Sequence, residues 1–204
     1  MTFLKIPLAK AKQVWYNILY GFRSGLPRRC AVLSRYLIPD YILSNYGEVT
    51  PEFLSSLGVR GLLIDIDNTL APYEQPTADE HHRAWFEALD AAGIRTALIS
   101  NNHRDRVDEF NATLSREAYW HSAKPLGRTF KRVMKGWGLS REQVAVLGDQ
   151  LLTDALGAKA LGLRVIIVPP IRDKKTAFVR FKRWLERPYV KAYYEKHTKE
   201  VTAP

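Results

Sequence analysis

The 204-residue sequence has only one cysteine, Cys30, and no long hydrophobic run. A single thiol cannot form a disulfide within the chain, which excludes a disulfide-stapled scaffold and favours a reducing compartment. Apolar stretches such as residues 165–168 are far shorter than the roughly 18 residues that a membrane-spanning helix needs. Lys10 and Lys12 interrupt the N-terminal region, which therefore lacks the apolar core of a signal peptide. The sequence predicts a cytoplasmic protein that contacts membranes, if at all, peripherally on their inner face.

Acidic residues are scarce relative to basic ones, and the imbalance lies at the two ends of the chain. The formal net charge is +10. Residues 1–60 carry 8 basic and 3 acidic residues, and residues 171–204 carry 10 and 4, whereas residues 61–170 carry 13 and 14. Basic segments favour phosphate-rich partners, either nucleic acid or an anionic membrane surface. The alternative is a solvated surface that only aids solubility.

Strand and helix patterns alternate regularly between residues 61 and 170. Short apolar runs predict buried strands, and apolar residues spaced by three and four predict helices. The predicted strands cover residues 62–64, 96–99, 118–123, 144–147 and 165–168, and the predicted helices cover residues 80–92, 104–114, 129–137 and 153–161. This alternation is typical of an α/β fold with a Rossmann-like parallel sheet covered by helices on both faces. Such folds bind ligands at the carboxyl ends of their strands.

The flanking regions show a different pattern from this core. The spacing of apolar residues predicts an amphipathic helix over residues 8–22 and short helices or turns over residues 37–57. In the C-terminal region, Phe178, Phe181 and Trp184 recur at helical spacing among lysines and arginines. We therefore predict a basic helical segment over residues 1–60 that packs on or extends from the core, a core over residues 61–170, and a basic amphipathic segment over residues 171–204. The two amphipathic stripes either lie on an anionic membrane or pack onto the core.

Polar residues follow four of the five predicted strands directly. They are Asp65, Asp67 and Thr69 after the first strand, Ser100 and Asn101 after the second, Lys124 after the third, and Asp149 and Asp154 after the fourth. Clustered carboxylates are unstable unless a cation neutralises them. Oxygen ligands without Cys or His favour Mg²⁺ over Zn²⁺, and Mg²⁺ commonly takes a further ligand from a substrate phosphate.

These residue types suit phosphoryl transfer. Ser100 can donate a hydrogen bond to a phosphate, and Lys124 can place a fixed positive charge beside it. If Asp65 attacks phosphorus to form an aspartyl phosphate, Asp67 can protonate the leaving oxygen and later take a proton from water. Each motif alone has an ordinary structural explanation, such as a turn, a helix cap or a surface lysine. Their order along the chain favours the catalytic interpretation.

The motifs resemble, in order, the four motifs of haloacid dehalogenase (HAD) superfamily phosphatases. They are Asp65-x-Asp67-x-Thr69, Ser100, Lys124 and Gly148-Asp149-x4-Asp154. The surrounding residues are more narrowly similar to YqeG-like subclass IIIA phosphatases, a group similar to mitochondrial-type phosphatidylglycerophosphatases. The resemblance implies Asp65 as nucleophile and Asp67 as acid/base. It also implies Mg²⁺ held by Asp65, Asp149 and the backbone carbonyl of Asp67, with Asp154 as an indirect or water-mediated ligand.

The intervals between the motifs leave no room for the cap domain that many HAD relatives insert over the site. Asp67 and Ser100 are 33 positions apart and Ser100 and Lys124 are 24 apart, and predicted elements fill both intervals. We therefore expect an open, capless site, which admits a phosphate protruding from a lipid headgroup, a polymer end or a protein surface.

The sequence thus predicts a Mg²⁺-dependent phosphomonoester hydrolase with an aspartyl-phosphate intermediate. Its predicted substrate contacts are Thr69, Ser100, Asn101 and Lys124. The resemblance and the basic segments together favour phosphatidylglycerophosphate at a membrane surface as the substrate. One alternative is the same chemistry on a nucleic-acid end or a sugar phosphate. The other is an RNA- or ribosome-associated scaffold with a vestigial site, which the intact motif residues argue against.

Overall fold

A parallel β-sheet forms the centre of the computed structural model, which describes residues 31–172 and 176–202. Its six strands are β1 (Tyr41–Ile42), β2 (Gly61–Ile64), β3 (Arg95–Ile99), β4 (Glu117–Tyr119), β5 (Val144–Gly148) and β6 (Arg164–Ile167). The strand order is β1-β6-β5-β2-β3-β4, and every neighbouring pair is parallel. The helix predicted over residues 8–22 lies outside the described residues.

Helices connect the strands and cover the sheet. They are α1 (Ala31–Leu37), α2 (Pro51–Ser56), α3 (Glu80–Ala91), α4 (Arg104–Asn111), α5 (Arg128–Trp137), α6 (Leu156–Lys159) and α7 (Ala177–Thr202), with a π-helical turn at Leu151–Ala155 before α6. Within residues 31–172 and 176–202, no helix is both long enough and apolar enough to cross a membrane.

Side chains of the central strands alternate between two hydrophobic cores, one on each face of the sheet. Leu62 and Ile64 of β2 join the core beneath α3 and α4, whereas Leu63 joins the core beneath α5 and α7. Every residue of β2 and β5 is buried, as strands covered on both faces require. The predicted α/β fold with helices on both faces is confirmed.

The edges of the sheet differ from the sequence prediction. The strand β1, in a region predicted as short helices or turns, pairs with β6, and two residues are too few to produce a recognisable alternation. The strand predicted over residues 118–123 ends at Tyr119, because the chain turns through the left-handed backbone of His121 (φ 43°) and Ala123 (φ 53°). Among the described residues, no additional domain interrupts the intervals between Asp67, Ser100 and Lys124, so the core is capless as predicted.

The helix α7 has two parts with different surroundings. Near its C-terminal end, Tyr189, Val190 and Tyr193 are buried in the core, and the Tyr193 hydroxyl accepts a hydrogen bond from Ile42 N at 3.1 Å. Near its N-terminal end, the apolar side chains of Phe178 and Phe181 are exposed. The predicted boundaries at residues 60 and 171 stay predictions, while β1 and α7 both contribute side chains to the central packing.

Candidate active site

A tight turn after β2 positions the first two candidate residues. The Asp65 backbone N–H donates to Leu147 O of β5 at 2.9 Å, which keeps Asp65 level with the neighbouring strand end. Ile66 O then accepts hydrogen bonds from the N–H groups of Leu70 and Ala71, and Asn68 adopts the left-handed conformation (φ 66°). Asparagine tolerates this conformation better than most residues. The turn therefore leaves Asp65 and Asp67 at the carboxyl edge of the sheet.

Three buried carboxylates meet at this edge. One carboxylate oxygen each from Asp65, Asp149 and Asp154 lies within 4.8 Å of the others. Lys124 Nζ lies 2.5 Å from Asp65 Oδ1 and 2.7 Å from Asp154 Oδ1, and it also donates to Ile99 O at 2.9 Å. These three carboxylates come from separate loops and were predicted to bind a metal. They converge in the structure, and Lys124 lies between two of them.

The electrostatics of this cluster favour an additional cation. Burial raises the pKa of Asp65 to about 8 even though the Lys124 ammonium opposes the shift. Burial likewise raises the pKa of Asp149 to about 7 against the opposing charge of Arg183. Burial lowers the pKa of Lys124, but Asp154 and Asp65 more than compensate, so this pKa is raised overall and the lysine stays charged. The carboxylates therefore lack full neutralisation from the protein itself.

The donor set fits a hard divalent cation such as Mg²⁺. All three side chains offer carboxylate oxygens, which Mg²⁺ prefers. Asp149 Oδ1 is buried and has no hydrogen-bond partner among the described residues, so a lone pair remains for a metal. Asp154 is fixed beside it, because its Oδ2 accepts from Gln150 N at 3.2 Å and from Thr153 Oγ1 at 3.3 Å.

The Asp67 side chain lies outside the acidic cluster and has its own partners. Its carboxylate accepts hydrogen bonds from Arg106 Nε and from Asn102 Nδ2, both at 3.1 Å. Thr69 Oγ1, predicted as a substrate contact, donates instead to Asp65 Oδ2 at 3.1 Å. The metal-binding role of the Asp67 backbone carbonyl, which the resemblance implies, stays a prediction.

Ser100 and Asn101 shape the loop that carries Lys124. Asn101 Oδ1 accepts from Lys124 N at 2.8 Å and from Ser122 Oγ at 2.9 Å, and Asn101 Nδ2 donates to Lys124 O at 3.1 Å. Ser100 Oγ accepts from Asn102 N at 3.0 Å, and within residues 31–172 and 176–202 its hydroxyl has no acceptor, so it can donate to a phosphate. In the described structure Asn101 orients the lysine loop, and its predicted substrate contact stays a prediction.

Two residues of α7 belong to the site, although the motifs did not indicate them. The Arg183 guanidinium pairs with Asp149 Oδ2 and donates to Asp149 O at 2.7 Å. It also pairs with the buried Glu186 at 3.0 Å, whose other oxygen accepts from Leu152 N at 3.1 Å. Arg106 and Asn102 were missed in the same way. The available signal for α7 was an Arg and a Glu three residues apart beside apolar residues, which suits a buried helix face.

Comparisons with known proteins give a consistent result. A family model for haloacid dehalogenase-like hydrolases matches residues 74–162, a range that begins after Asp65 and Asp67. The chain is 34% identical over 165 residues to a probable phosphatase, YqeG, of Bacillus subtilis, covering 81% of this chain and 96% of that protein. It is 23% identical over 177 residues to phosphatidylglycerophosphate phosphatase 1 (chloroplastic/mitochondrial) of Arabidopsis thaliana, covering 82% of this chain and 51% of that protein.

The solved structures that resemble this fold include a HAD superfamily subfamily III A hydrolase, described as putative, from Legionella pneumophila. Its sequence is 17% identical, the match covers 71% of this chain and 94% of that one, and the TM-score is 0.42.

Proposed function

Because this chain belongs to the haloacid dehalogenase-like hydrolases and is a phosphatase of that superfamily, we propose that it hydrolyses phosphomonoesters with Mg²⁺ through a phosphorylated Asp65. The observation that carries this proposal is the convergence of Asp65, Asp149 and Asp154 around Lys124 at the carboxyl edge of the sheet. A bound Mg²⁺, held by Asp65, Asp149 and the Asp67 carbonyl with Asp154 beside them, would supply positive charge to the phosphoryl oxygens.

The protein's own side chains divide the remaining chemistry. Asp65 attacks phosphorus, and Lys124 and Ser100 bind the phosphoryl oxygens during transfer. Asp67 enters the first step as the carboxylic acid and gives its proton to the leaving oxygen; the carboxylate so formed then takes a proton from the water that hydrolyses the aspartyl phosphate, which restores the acid. Arg106 and Asn102 support this assignment, since they hold the Asp67 carboxylate in one orientation.

For the substrate we propose phosphatidylglycerophosphate, presented at a membrane surface and converted to phosphatidylglycerol and phosphate. The capless site supports a phosphate that protrudes from a large assembly, because no domain among the described residues covers it. The net charge of +10 supports an anionic surface. The Arabidopsis relative, whose name specifies this lipid phosphate, supports the same class of substrate.

Phosphate release from a panel of substrates tests this proposal. The panel contains phosphatidylglycerophosphate in vesicles, oligonucleotides with 3′- or 5′-phosphates, a sugar phosphate and a soluble aryl phosphate, each with Mg²⁺ and with chelator. We expect Mg²⁺-dependent turnover with the highest kcat/KM on the lipid, and none in Asp65→Asn. A higher kcat/KM on an oligonucleotide or on the sugar phosphate would identify that compound, and not the lipid, as the substrate class. Binding of RNA without turnover of any ester would indicate a vestigial site.

A further inference from the structure

Exposed apolar side chains lie around the same sheet edge as the candidate active site. Phe178 is 69% exposed, Leu126 64% and Phe181 55%. We call the following set the apolar rim: Trp120, Leu126, Ile171, Phe178, Phe181 and Trp184. Single exposed apolar residues are ordinary, but a set gathered at one functional edge marks an interaction surface.

Chain connectivity and hydrogen bonds tie each part of the apolar rim to the site. Trp120 directly follows the last residue of β4, and Leu126 lies two residues after Lys124. The Ile171 N–H donates to Asn68 O at 3.1 Å, in the turn that positions Asp65 and Asp67. The first turns of α7 are fixed to the loop after β5 by the Arg183–Asp149 pair and by Lys182 Nζ, which donates to Gln150 Oε1 at 2.8 Å.

We propose that the apolar rim docks on an anionic lipid bilayer and turns the catalytic edge toward the headgroups. This inference rests on the proposed function, since it supplies the surface that would present a membrane-borne phosphate to the open site. Phe and Trp side chains suit the headgroup region of a bilayer, where apolar rings can leave water. Phe181 and Trp184 already stack on each other, with ring centroids 5.9 Å apart, and form one exposed aromatic surface.

Positive charge accompanies the apolar rim. Arg172 and Arg180 are exposed beside it, and no carboxylate pairs with either of them among residues 31–172 and 176–202. Lys182 Nζ lies 5.2 Å from the centre of the Phe178 ring. Basic residues next to aromatic residues are the composition that binds anionic bilayers. The same charges disfavour a second copy of this chain as the occupant, because two basic surfaces repel each other.

A bilayer suits this surface better than a nucleic acid. Single-stranded nucleic acids bind through aromatic platforms on which bases stack. Leu126 and Ile171, however, are aliphatic and at least half exposed, and they offer no stacking face. Aliphatic side chains gain most from an environment of hydrocarbon chains.

Vesicle co-sedimentation of the full chain tests the proposal. The probes are vesicles of phosphatidylcholine alone and of phosphatidylcholine with phosphatidylglycerol. The variants are the triple substitution Phe178→Gln/Phe181→Gln/Trp184→Gln, Arg180→Gln, and the matched control Arg141→Gln, whose exposed side chain lies before β5 at the opposite edge of the sheet. Circular dichroism and thermal unfolding verify that each variant is folded.

We expect the wild type to bind the anionic vesicles, and the triple variant to lose about tenfold or more in binding, since burying one aromatic side chain already corresponds to about one order of magnitude. Arg180→Gln should bind more weakly than Arg141→Gln, and all variants should hydrolyse a soluble aryl phosphate like the wild type. Equal vesicle binding by the wild type and the triple variant, or no binding by the wild type, would overturn the docking surface. Binding of a single-stranded oligonucleotide is measured on the same variants, and a triple variant that loses oligonucleotide binding but keeps vesicle binding would also overturn it. Failure of the proposed function can be distinguished from failure of the docking surface, because only the former abolishes hydrolysis of the aryl phosphate by the wild type.

Discussion

Gly148 illustrates at the scale of one residue how the sequence shapes the acidic cluster. A Cβ at this position would overlap the Asp154 carboxyl group, so only glycine lets Asp154 lie against the end of β5. Gly136, near the end of α5, has open space around its own missing side chain. The two glycines provide a matched pair of substitutions.

We predict that Gly148→Ala displaces Asp154 and lowers Mg²⁺ affinity about tenfold or more, as loss of a supporting interaction around a metal site commonly does. Gly136→Ala should leave metal affinity unchanged and stabilise the fold by about 0.5–1 kcal/mol, since alanine is the better helix former. Isothermal titration calorimetry and urea unfolding measure the two effects. Unchanged Mg²⁺ affinity in Gly148→Ala would contradict this role of Gly148 in placing Asp154 at the metal site.

Arg106 tests the acid/base assignment of Asp67. Arg106→Gln removes the guanidinium that donates to Asp67 Oδ1, and we expect a decrease in kcat of about tenfold or more with a smaller change in KM, as part of a general acid–base contribution is lost. Arg104→Gln is the control, because Arg104 is exposed and pairs with Asp108 on the surface of α4. Steady-state rates and their pH profile on an aryl phosphate measure the effect. A larger loss in Arg104→Gln than in Arg106→Gln would contradict this orientation of Asp67.

At the scale of an element, α7 connects the centre of the fold to the site. Buried ion pairs are costly to break because the remaining partner keeps an unpaired buried charge. Arg183 stands between two buried carboxylates, those of Asp149 and Glu186, and burial raises the pKa of Glu186 despite the charge of Arg183.

We predict that Arg183→Met destabilises the protein by about 3–5 kcal/mol, and that adding Glu186→Met recovers part of this loss because one buried charge is removed. Lys191→Met, which breaks the exposed Lys191–Glu195 pair on the same helix, should cost about 0–1 kcal/mol. Urea unfolding in the absence of divalent cations gives the free energies. Additive effects in the double variant would argue against a coupled Arg183–Glu186 pair.

The same elements show how far the sequence predicts this fold. The buried strands β2, β3 and β5 were recognisable because they are mostly apolar, and the helix predicted over residues 129–137 agrees with α5 to within one residue. By contrast, β1 was missed because two residues carry no periodicity, and β4 was predicted too long because residues 120–123 turn rather than extend. For α7, the sequence indicated its amphipathic character but not which residues lie in the core.

Across the whole molecule, the candidate site combines local motifs with long-range contacts. The placement of Asp65, Ser100, Lys124 and Asp149 at one edge of the sheet was predictable, because a parallel sheet brings the carboxyl ends of its strands together there. The partners Arg106 and Arg183 were not, since they come from helix positions whose direction only the packed structure fixes. Arg183 lies 34 residues beyond Asp149 in the chain.

Binding of Mg²⁺ should stabilise the whole fold in a pH-dependent manner. In the metal-free protein the pKa of Asp149 is raised to about 7 and that of Asp65 to about 8. Below these pH values protons compete with Mg²⁺ for the carboxylates, whereas above them the carboxylates are ionised and free to bind the metal. We expect the Mg²⁺-induced rise in unfolding temperature to be small near pH 6 and to increase toward pH 9, which differential scanning fluorimetry can follow. At a Mg²⁺ concentration about a hundredfold above Kd, binding raises the free energy of unfolding by about 2.7 kcal/mol. Asp149→Asn should show no such increase.

The most direct test of the account is to identify the residue that is phosphorylated during turnover. Acid-quenched single-turnover reactions with an aryl phosphate and Mg²⁺, followed by peptide mass spectrometry, should show a transient phosphoryl group on Asp65. The group should be absent in Asp65→Asn and in the presence of chelator. Phosphate release without a phosphorylated peptide, or with the phosphoryl group on any other residue, would contradict the account.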